Sequence, residues 1–287
     1  MRTILVILMM IILFNGNMVS AAASKAEPAV DRTLSKAAAW LDGKNGNAII
    51  IDQQEVNALN KSMQSDNMPD LQNYPAHISG EKLKSYLQEY EFDADLYVNG
   101  KLLTSAQLAD LAADRNLDGV EEDTNVKYGV VVQRTNLRSL PTDLKAFLAP
   151  SDKAFDMWQE TAVDPAEPVL VLHYNEKRNF VYVQMRNYRG WLPTKGVALT
   201  NRDTWLKYVS PDKFAIVTDK LSLLKADKVQ LAFQMGSRIP TEGKNLLLPV
   251  RDANGNLKIV KTYANYGDTL HAGYLPYTTN NLIKQAF

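Results

Sequence analysis

The stretch that decides the fold runs from Phe180 to Pro193 and reads FVYVQMRNYRGWLP. Its first part, Phe180–Met185, consists of strong β-formers, and its second part turns into another apolar run, Gly196–Leu199. Two more β-rich runs precede it, at 128–134 and 168–174. Short strands separated by tight turns are typical of a small barrel or sandwich, and we predict such a unit here.

A second β unit follows, from about residue 214 to residue 275. Two apolar runs, Leu246–Val250 and Leu257–Val260, flank an Asn254-Gly255 pair, which is the strongest short signal for a hairpin turn. The aspartate and asparagines around that pair could also hold a metal, but a turn needs the same residues for left-handed backbone angles. We therefore predict a turn. Between the two units, Asp203–Tyr208 is predicted to form a short helical turn.

Upstream of both β units, the chain from about residue 27 to residue 123 has a helical period. Asp52–Glu55 and Thr104–Gln107 each fit a capping box, in which the first side chain caps the helix and the fourth reaches back. Ser79 is predicted to cap a further helix, and Asn99-Gly100 to form the turn of a small hairpin. The chain is thus predicted to be an α+β multidomain protein whose N-terminal domain is helical.

Composition excludes several kinds of function. The 287 residues are 46% hydrophobic and 22% charged, as in ordinary globular proteins. Because 32 basic residues balance 32 acidic residues, no net charge favours nucleic acid or an anionic membrane as the main partner. The sequence contains no cysteine, which excludes disulfides, thiolate metal sites and a cysteine nucleophile in this chain. It also contains no Gly-x-Ser-x-Gly or His-Glu-x-x-His motif.

The first residues have the pattern of a signal peptide. Arg2 precedes an apolar run of eleven residues, Ile4–Phe14, which is too short to span a bilayer. Small residues suited to signal peptidase follow, so we predict that residues 1–23 are removed by cleavage after Ala23, or alternatively after Ala21. An uncleaved N-terminal anchor is the competing interpretation. We expect an exported protein, periplasmic or secreted, that has no membrane contact after cleavage.

Asp114–Gly119 matches the first half of a calcium-binding loop. The first, third and fifth ligand positions and the glycine are present. The twelfth position, however, is Asn125 rather than a bidentate glutamate, and the eighth is Glu121, where an apolar residue normally packs. We favour a connector between a helix and the next domain over a calcium site.

Four segments of the first β unit carry a resemblance to a known family. They are Arg134–Thr142, Phe155–Ala162, Glu167–His173 and Tyr188–Leu192. In this order they resemble the non-catalytic front half of an NlpC-type murein endopeptidase. That family combines a helical stabilising domain, two bacterial SH3-like barrels and a papain-like peptidase module.

The resemblance covers about residues 27–287 and implies a division of the chain. The implied parts are a helical stabilising domain at 24–123, a first SH3-like barrel at 124–202, a second SH3-like barrel at 203–276 and, at 277–287, the start of a truncated or missing peptidase module.

The C-terminal sequence fits that division. Thr279 or Asn280 is the predicted N-cap of a helix whose apolar stripe lasts barely two turns, through Leu282, Ile283 and Phe287. In the resembled enzymes such a helix opens the peptidase module, and the nucleophilic cysteine follows it. We therefore expect no catalytic residue, metal or cofactor in this chain. Because two turns cannot build a core, we expect the last six residues to be loosely held or to lie against a barrel.

The resemblance also implies a binding role. The first barrel of such enzymes lies beside the peptidase cleft and helps to admit muropeptides with a free N-terminal alanine. The candidate residues on matching segments are Arg138, Asp156, Gln159, Tyr188 and Trp191. Asp156 would pair with the ammonium, Gln159 would bind a peptide amide, and the two aromatic residues would supply an apolar face. Two alternatives stay open: Trp191 belongs to the core, or Arg138 and Asp156 simply pair with each other.

We expect an exported, envelope-associated module that binds murein stem peptides or peptidoglycan and positions them, without catalytic residues of its own. A separately encoded peptidase domain would then be a further partner. One alternative is the front half of an active murein cysteine endopeptidase whose catalytic domain is missing from this sequence. Another is an exported SH3-like scaffold that binds a protein partner.

Overall fold

The structure, a computed structural model, describes residues 35–91 and 95–287. The predicted signal peptide, residues 1–23, lies outside the described residues. The described part contains five α-helices, and none of them is long and apolar enough to cross a membrane. They are α1 (Gln53–Ser62), α2 (Gly80–Leu87), α3 (Ser105–Asp114), α4 (Arg202–Val209) and α5 (Thr279–Ala286). Short 3-10 helices lie at Ala37–Ala39, Leu71–Asn73, Leu117–Gly119 and Thr194–Gly196.

Nineteen strands lie in the same described part. The first seven are β1 (His77–Ser79), β2 (Tyr97–Val98), β3 (Lys101–Leu102), β4 (Asp123–Asn125), β5 (Lys127–Val131), β6 (Thr135–Arg138) and β7 (Ala146–Phe147). The next five are β8 (Gln159–Val163), β9 (Pro168–Tyr174), β10 (Phe180–Gln184), β11 (Arg189–Pro193) and β12 (Val197–Thr200). The last seven are β13 (Phe214–Val217), β14 (Leu221–Ala226), β15 (Val229–Gln234), β16 (Arg238–Glu242), β17 (Asn245–Arg251), β18 (Leu257–Tyr263) and β19 (Leu270–Ala272).

Two antiparallel sheets hold most of these strands. The larger has seven strands in the order β12-β5-β9-β10-β11-β6-β8, and the smaller has five in the order β18-β17-β16-β13-β19. β14 pairs with β15, β7 joins the β2–β3 hairpin, and β1 pairs with β4. The chain is therefore a mixed α/β protein, as predicted. The division into a helical domain and two barrels, with its boundaries, stays a prediction.

Helix starts agree well with the sequence signals. Both predicted capping boxes are formed, since Asp52 and Thr104 each accept the N–H of the third helical residue, whose side chain bonds back to the cap. Ser79 caps α2 as predicted. The predicted cap of α5 is wrong by one residue: the Thr278 hydroxyl, rather than a side chain at 279 or 280, accepts the Asn281 N–H.

Both predicted hairpin turns are present. Asn99 and Gly100 have φ angles of 52° and 75°, the left-handed backbone that a tight turn between β2 and β3 requires. In the β17–β18 turn, Asp252 Oδ1 accepts the N–H groups of Asn254 and Asn256 at 2.9 and 2.8 Å. The Asp252 carboxylate thus organises the turn backbone, as the turn interpretation requires.

The α5 helix contacts the N-terminal segment 37–50. Asn280 is buried, and its side chain accepts the Asp42 N–H and donates to the Asp42 carbonyl oxygen, both at 3.0 Å. Phe287 stacks on Trp40 with their ring centroids 6.5 Å apart. Leu282 and Phe287 remain exposed, in agreement with the expectation that this helix has no core of its own.

The main apolar core runs through both larger sheets and the helices beside them. Helix α4 lies between the sheets and buries two aromatic side chains. Trp205 Nε1 donates to the Val169 carbonyl oxygen of β9 at 3.1 Å, and the Tyr208 hydroxyl lies 3.3 Å from the Leu247 carbonyl oxygen of β17. The two sheets are therefore joined through one short helix.

Arg189, at the start of β11, attaches the helical region (residues 35–91 and 95–123) to the seven-stranded sheet. Its guanidinium lies 3.6 Å from the centre of the Tyr86 ring and pairs with Glu89 at 2.6 Å and Asp66 at 3.3 Å. The hydrogen bond from Lys82 is the main reason that the pKa of Asp66 is lowered. Because the Arg189 side chain is only 5% exposed, this stacked ion pair forms part of the interface between the helical region and the sheet.

Candidate binding site on the seven-stranded sheet

The site begins with the arm loop, residues 139–158, which leaves β6 and returns as β8. Asp156 in this loop forms an ion pair with Arg138 at the end of β6, with Nη1 2.9 Å from Oδ2. Arg138 Nη2 also donates to the Leu144 carbonyl oxygen. Asp156 Oδ1 accepts the N–H groups of Ala146 and Trp158, both at 3.1 Å. The pair thus fixes the loop to the strand, which is one of the alternatives that the sequence left open.

The arm loop has its own apolar core, shared with the helical region. Trp158 is fully buried, and its Nε1 donates to the Tyr90 hydroxyl at 2.9 Å. Leu140 and Ala146 pack in the same cluster as Leu96 of the helical region. Pairing of β7 with β2 adds backbone hydrogen bonds between the loop and the helical region. The loop is therefore a buttressed element of the fold.

Trp191 is a core residue. Its side chain is 0% exposed and packs edge-on against Tyr182 and His173, with ring centroids 5.2 and 6.3 Å away. Its neighbour Gly190 is required by a close approach of strands, since a Cβ there would lie 2.8 Å from the Arg138 carbonyl oxygen. The Gly-Trp pair of the sequence motif therefore serves packing, and the Trp191 ring presents no surface to a ligand in this structure.

Strand pairing brings three of the predicted residues into one row. Trp191 of β11 lies opposite Arg138 of β6, and Arg138 lies opposite Gln159 of β8. Gln159 is exposed, and Tyr188, one residue before β11, is 39% exposed. Gln159 and Tyr188 are thus the two of the five predicted residues whose side chains reach solvent well enough to contact a ligand.

Sequence reasoning missed two exposed apolar residues of the arm loop. Phe155 is 68% exposed and Leu148 is 64% exposed. Phe155 lies next to Asp156 within one of the four segments that carry the resemblance, but an aromatic residue in such a segment is expected to be buried. Trp158 is buried and the Asp156 carboxylate is bonded to the loop backbone, whereas Phe155 stays at the surface. Large exposed apolar side chains beside polar ones are typical of contact surfaces.

The three histidines lie far apart in the chain and make separate contacts. His77 Nδ1 lies 2.9 Å from an Asp123 carboxylate oxygen at the surface. Ser79 lies opposite Asp123 in the β1–β4 pair, so a serine, a histidine and an aspartate are neighbours there. The Ser79 hydroxyl, however, accepts the Lys82 N–H and caps α2. His173 and His271 each contact a backbone carbonyl oxygen at 3.0 Å. Each histidine thus contacts a neighbouring group of the protein in a different part of the fold.

The segment that resembles a calcium loop is occupied by protein contacts. Asp114 Oδ2 lies 3.2 Å from both the Asn175 side-chain nitrogen and Lys177 Nζ. Arg115 donates to the Leu87 carbonyl oxygen at 3.0 Å. In the described part of the chain, no group of three or more His, Asp or Glu side chains could hold a metal ion. The preference for a connector over a calcium site stays a prediction.

A known protein family matches part of this site. The family described as SH3 domain (SH3b1 type) matches residues 145–193. This part of the chain is thus similar to an SH3b1 domain. The match begins in the arm loop at Lys145 and ends with β11, so it includes Asp156, Gln159, Tyr188 and Trp191 but leaves Arg138 outside.

The fold of the chain, including the residues that match the SH3b1 family, is also similar to that of a solved structure. An NlpC/P60 endopeptidase from Photobacterium damselae subsp. piscicida matches with a TM-score of 0.67 at 19% sequence identity, over 86% of this chain and 59% of that chain. The chain thus spans about three fifths of the length of that endopeptidase. No curated protein matches the chain. The SH3b1 match and the shared fold confirm the resemblance to the N-terminal part of an NlpC-type protein.

Proposed function

We propose that this chain is an exported cell-wall-binding module of an NlpC-type endopeptidase, which holds murein stem peptides in position for cleavage. The observation that carries the proposal is the SH3b1 match at 145–193 within a fold shared with an NlpC/P60 endopeptidase. The sequence itself offers no cysteine nucleophile. We propose further that the five-stranded sheet with the β14–β15 hairpin is a second SH3-like barrel, and that residues 1–23 direct export.

The proposed binding surface consists of Gln159, Tyr188, Phe155 and Leu148. A stem peptide offers amides and small apolar side chains, and this surface offers an amide, a phenol and two apolar groups. Arg138 and Asp156 position the surface by holding the arm loop. The buried Asp156 carboxylate is bonded to Arg138 and to the loop backbone, so it is not part of the contact surface. Gln159 is the candidate for binding a peptide amide, since its side chain is exposed.

Retention on purified sacculi tests the proposal. The purified chain should sediment with sacculi, and soluble stem peptides should release it. We expect Tyr188→Ala and Phe155→Ala each to weaken binding by about tenfold, as removal of a central aromatic contact commonly does. Tyr263→Ala is the control, because Tyr263 is a tyrosine on β18 that is even more exposed than Tyr188, 64% against 39%. Retention that is unaffected by both Tyr188→Ala and Phe155→Ala, or absent in the wild type, would contradict the proposal.

A second candidate is the front half of an active murein cysteine endopeptidase. It is favoured by the match to only 59% of the endopeptidase chain. The DNA after the Phe287 codon distinguishes the candidates. An open frame that continues into Tyr-Gly-Trp-Gly and Asp-Cys-Ser sequences would establish the second candidate. Release of amino acids from stem peptides by the purified 287-residue chain alone would refute the non-catalytic role.

Export has its own test. Expression of the full sequence in a bacterial host, followed by fractionation and N-terminal sequencing, should give a periplasmic or secreted protein that begins at Ser24. A protein that keeps Met1 and sediments with membranes would support the uncleaved anchor instead.

A further inference from the structure

A cavity of about 400 Å³ lies between the connector 116–127 and the end of β9. One wall comes from the connector, including Asn116, Thr124 and Lys127. The other comes from His173, Tyr174 and Arg178. Cavities between two structural units are common places for small ligands. None of the five residues predicted from the sequence lines this one.

Two cations share the aromatic ring at this cavity. Lys127 Nζ lies 5.5 Å and the Arg178 guanidinium 4.6 Å from the centre of the Tyr174 ring. Neither forms an ion pair with a carboxylate of the described residues. Glu121 is the one acidic residue in the cavity lining. The cavity therefore has a surplus of positive charge that no carboxylate of the described chain neutralises by direct contact.

The position of Arg178 is built into the fold. Its backbone is left-handed, with φ at 56°, a conformation that non-glycine residues seldom adopt. The backbone is held there because the Arg178 N–H donates to the Asn175 carbonyl oxygen at 2.9 Å and the Arg178 carbonyl oxygen accepts the Thr194 hydroxyl at 2.9 Å. Left-handed non-glycine residues cluster at ligand sites, where the surrounding structure maintains them.

Two more groups complete the cavity. Thr124 Oγ1 is buried and has no hydrogen-bond partner in the described structure, although a buried hydroxyl normally has one. His173 is held by the Asn116 carbonyl oxygen. Its pKa is lowered by burial, with a further contribution from the Arg178 charge, so the ring is neutral near pH 7. The site thus combines two cations, a hydroxyl without a protein partner and a neutral aromatic wall.

We propose that this cavity binds the carboxylate end of a peptide. Lys127 and Arg178 take the carboxylate, the Thr124 hydroxyl donates to it, and Asn116 and Tyr174 contact the adjoining amide and apolar groups. A carboxylate is the simplest group that satisfies both cations and the hydroxyl together. That the peptide comes from the cell wall rests on the proposed function; the preference for a carboxylate does not.

Titration calorimetry on the full chain tests the site, with N-acetyl-D-alanyl-D-alanine, its C-terminal amide and inorganic phosphate as probes. The acid should bind, with an affinity that falls as NaCl is raised. The amide and phosphate should bind at least about tenfold more weakly, since they lack either the charge or the peptide groups. Equal binding of the acid and the amide would overturn the proposal, and so would tighter binding of phosphate than of the acid.

Three variants assign the contacts. Lys127→Gln and Arg178→Asn should each weaken binding of the acid by about tenfold, as loss of one charge-assisted contact predicts, and asparagine tolerates the left-handed backbone. Thr124→Val should weaken binding without lowering the unfolding midpoint, because it removes a hydroxyl that the protein itself leaves unpaired. Lys244→Gln, at an exposed lysine in the turn between β16 and β17, is the matched control. Unchanged binding in all three variants would refute the site.

Sacculus retention of the same variants separates this inference from the proposed function. If Lys127→Gln and Arg178→Asn lose the acid probe while wild-type retention on sacculi is absent, the carboxylate site stands and the cell-wall source falls. If the wild type is retained but never binds the acid probe, the cell-wall role stands and the carboxylate site falls.

Discussion

Arg138 and Asp156 form an ion pair whose side chains are 4% and 9% exposed, and the pair joins the end of one strand to the loop that leaves it. Every hydrogen bond of the Asp156 carboxylate goes either to Arg138 or to the backbone of the arm loop. The pair therefore sets the shape of the loop that carries Phe155 and Leu148. Its effect on binding is expected to be indirect.

Removal of one member of this pair should destabilise the protein strongly. We expect Asp156→Ala to lower the free energy of unfolding by about 3–5 kcal/mol, because it leaves the Arg138 charge buried and uncompensated. Urea denaturation measures the change. Asp227→Asn removes the charge of an exposed pair with Lys258 and keeps a residue that tolerates the left-handed backbone there, so it should cost less than about 1 kcal/mol. Equal effects of the two changes would contradict a structural role for the buried pair.

Gly190 should not tolerate a side chain. In Gly190→Ala the new Cβ would lie 2.8 Å from the Arg138 carbonyl oxygen, so β6 and β11 must separate. We expect a loss of about 1–3 kcal/mol in the free energy of unfolding, the usual cost of overpacking. Gly43→Ala is the control, since nothing lies within 4 Å of a Cβ there. An unchanged unfolding midpoint in Gly190→Ala would show that the strands separate without cost.

His173 should make stability depend on pH. Its pKa is lowered by burial below the ordinary value of 6.5. Above pH 6.5 the His173 ring is neutral in both states, and the free energy of unfolding has its full value. As the pH falls from 6.5 toward the folded-state pKa, the unfolded chain binds the proton more readily than the folded chain, so the free energy of unfolding decreases.

The measurement is the free energy of unfolding at a series of pH values from neutral to acid. His173→Gln should reduce the fall in stability on acidification, because no proton then binds at this position. His271→Gln tests whether the effect belongs to His173. If the free energy of unfolding of His173→Gln depends on pH as in the wild type, the pH dependence does not come from His173.

Asn280 should control whether α5 stays in place. Its side chain bonds to both backbone groups of Asp42 and to the Asn47 side chain, each at 3.0 Å, whereas the apolar residues of α5 are largely exposed. We expect Asn280→Ala to remove the hydrogen-exchange protection of α5 while β9 and β10 keep theirs. Lys284→Ala, on an exposed position of the same helix, should leave that protection in place. Strong protection of α5 in Asn280→Ala would mean that other contacts hold the helix.

Local features of the fold were predictable because their causes are local. Capping boxes at Asp52 and Thr104 and the turn at Asn99-Gly100 depend on residues within four positions of each other, so the sequence displays the whole interaction. The cap of α5 was displaced by one residue because Thr278 competes with its two neighbours, and Asn280 is engaged by the distant residue Asp42. A contact across 238 positions leaves no local pattern.

The candidate site was predictable only in part, for the same reason. Sequence identified the segments with Gln159 and Tyr188, and the strand pairing places Arg138 and Trp191 beside them. It could not show which side chains reach solvent, since Trp191 and Phe155 are both aromatic residues in motif segments and only one is buried. The Tyr174 cavity was also invisible, because it forms only where the connector meets β9.

Helix α4 has a mechanical consequence for the whole molecule. Trp205 is bonded to one sheet and Tyr208 to the other, and Leu199 of β12 also bonds to Gly255 in the β17–β18 turn, so the two sheets are connected at more than one place. Ligands that touch both sheets should therefore meet a preformed surface, and the small-angle X-ray scattering curve should be superimposable with and without ligand. Trp205→Ala removes the contact between α4 and β9, which should let the sheets separate and enlarge the radius of gyration.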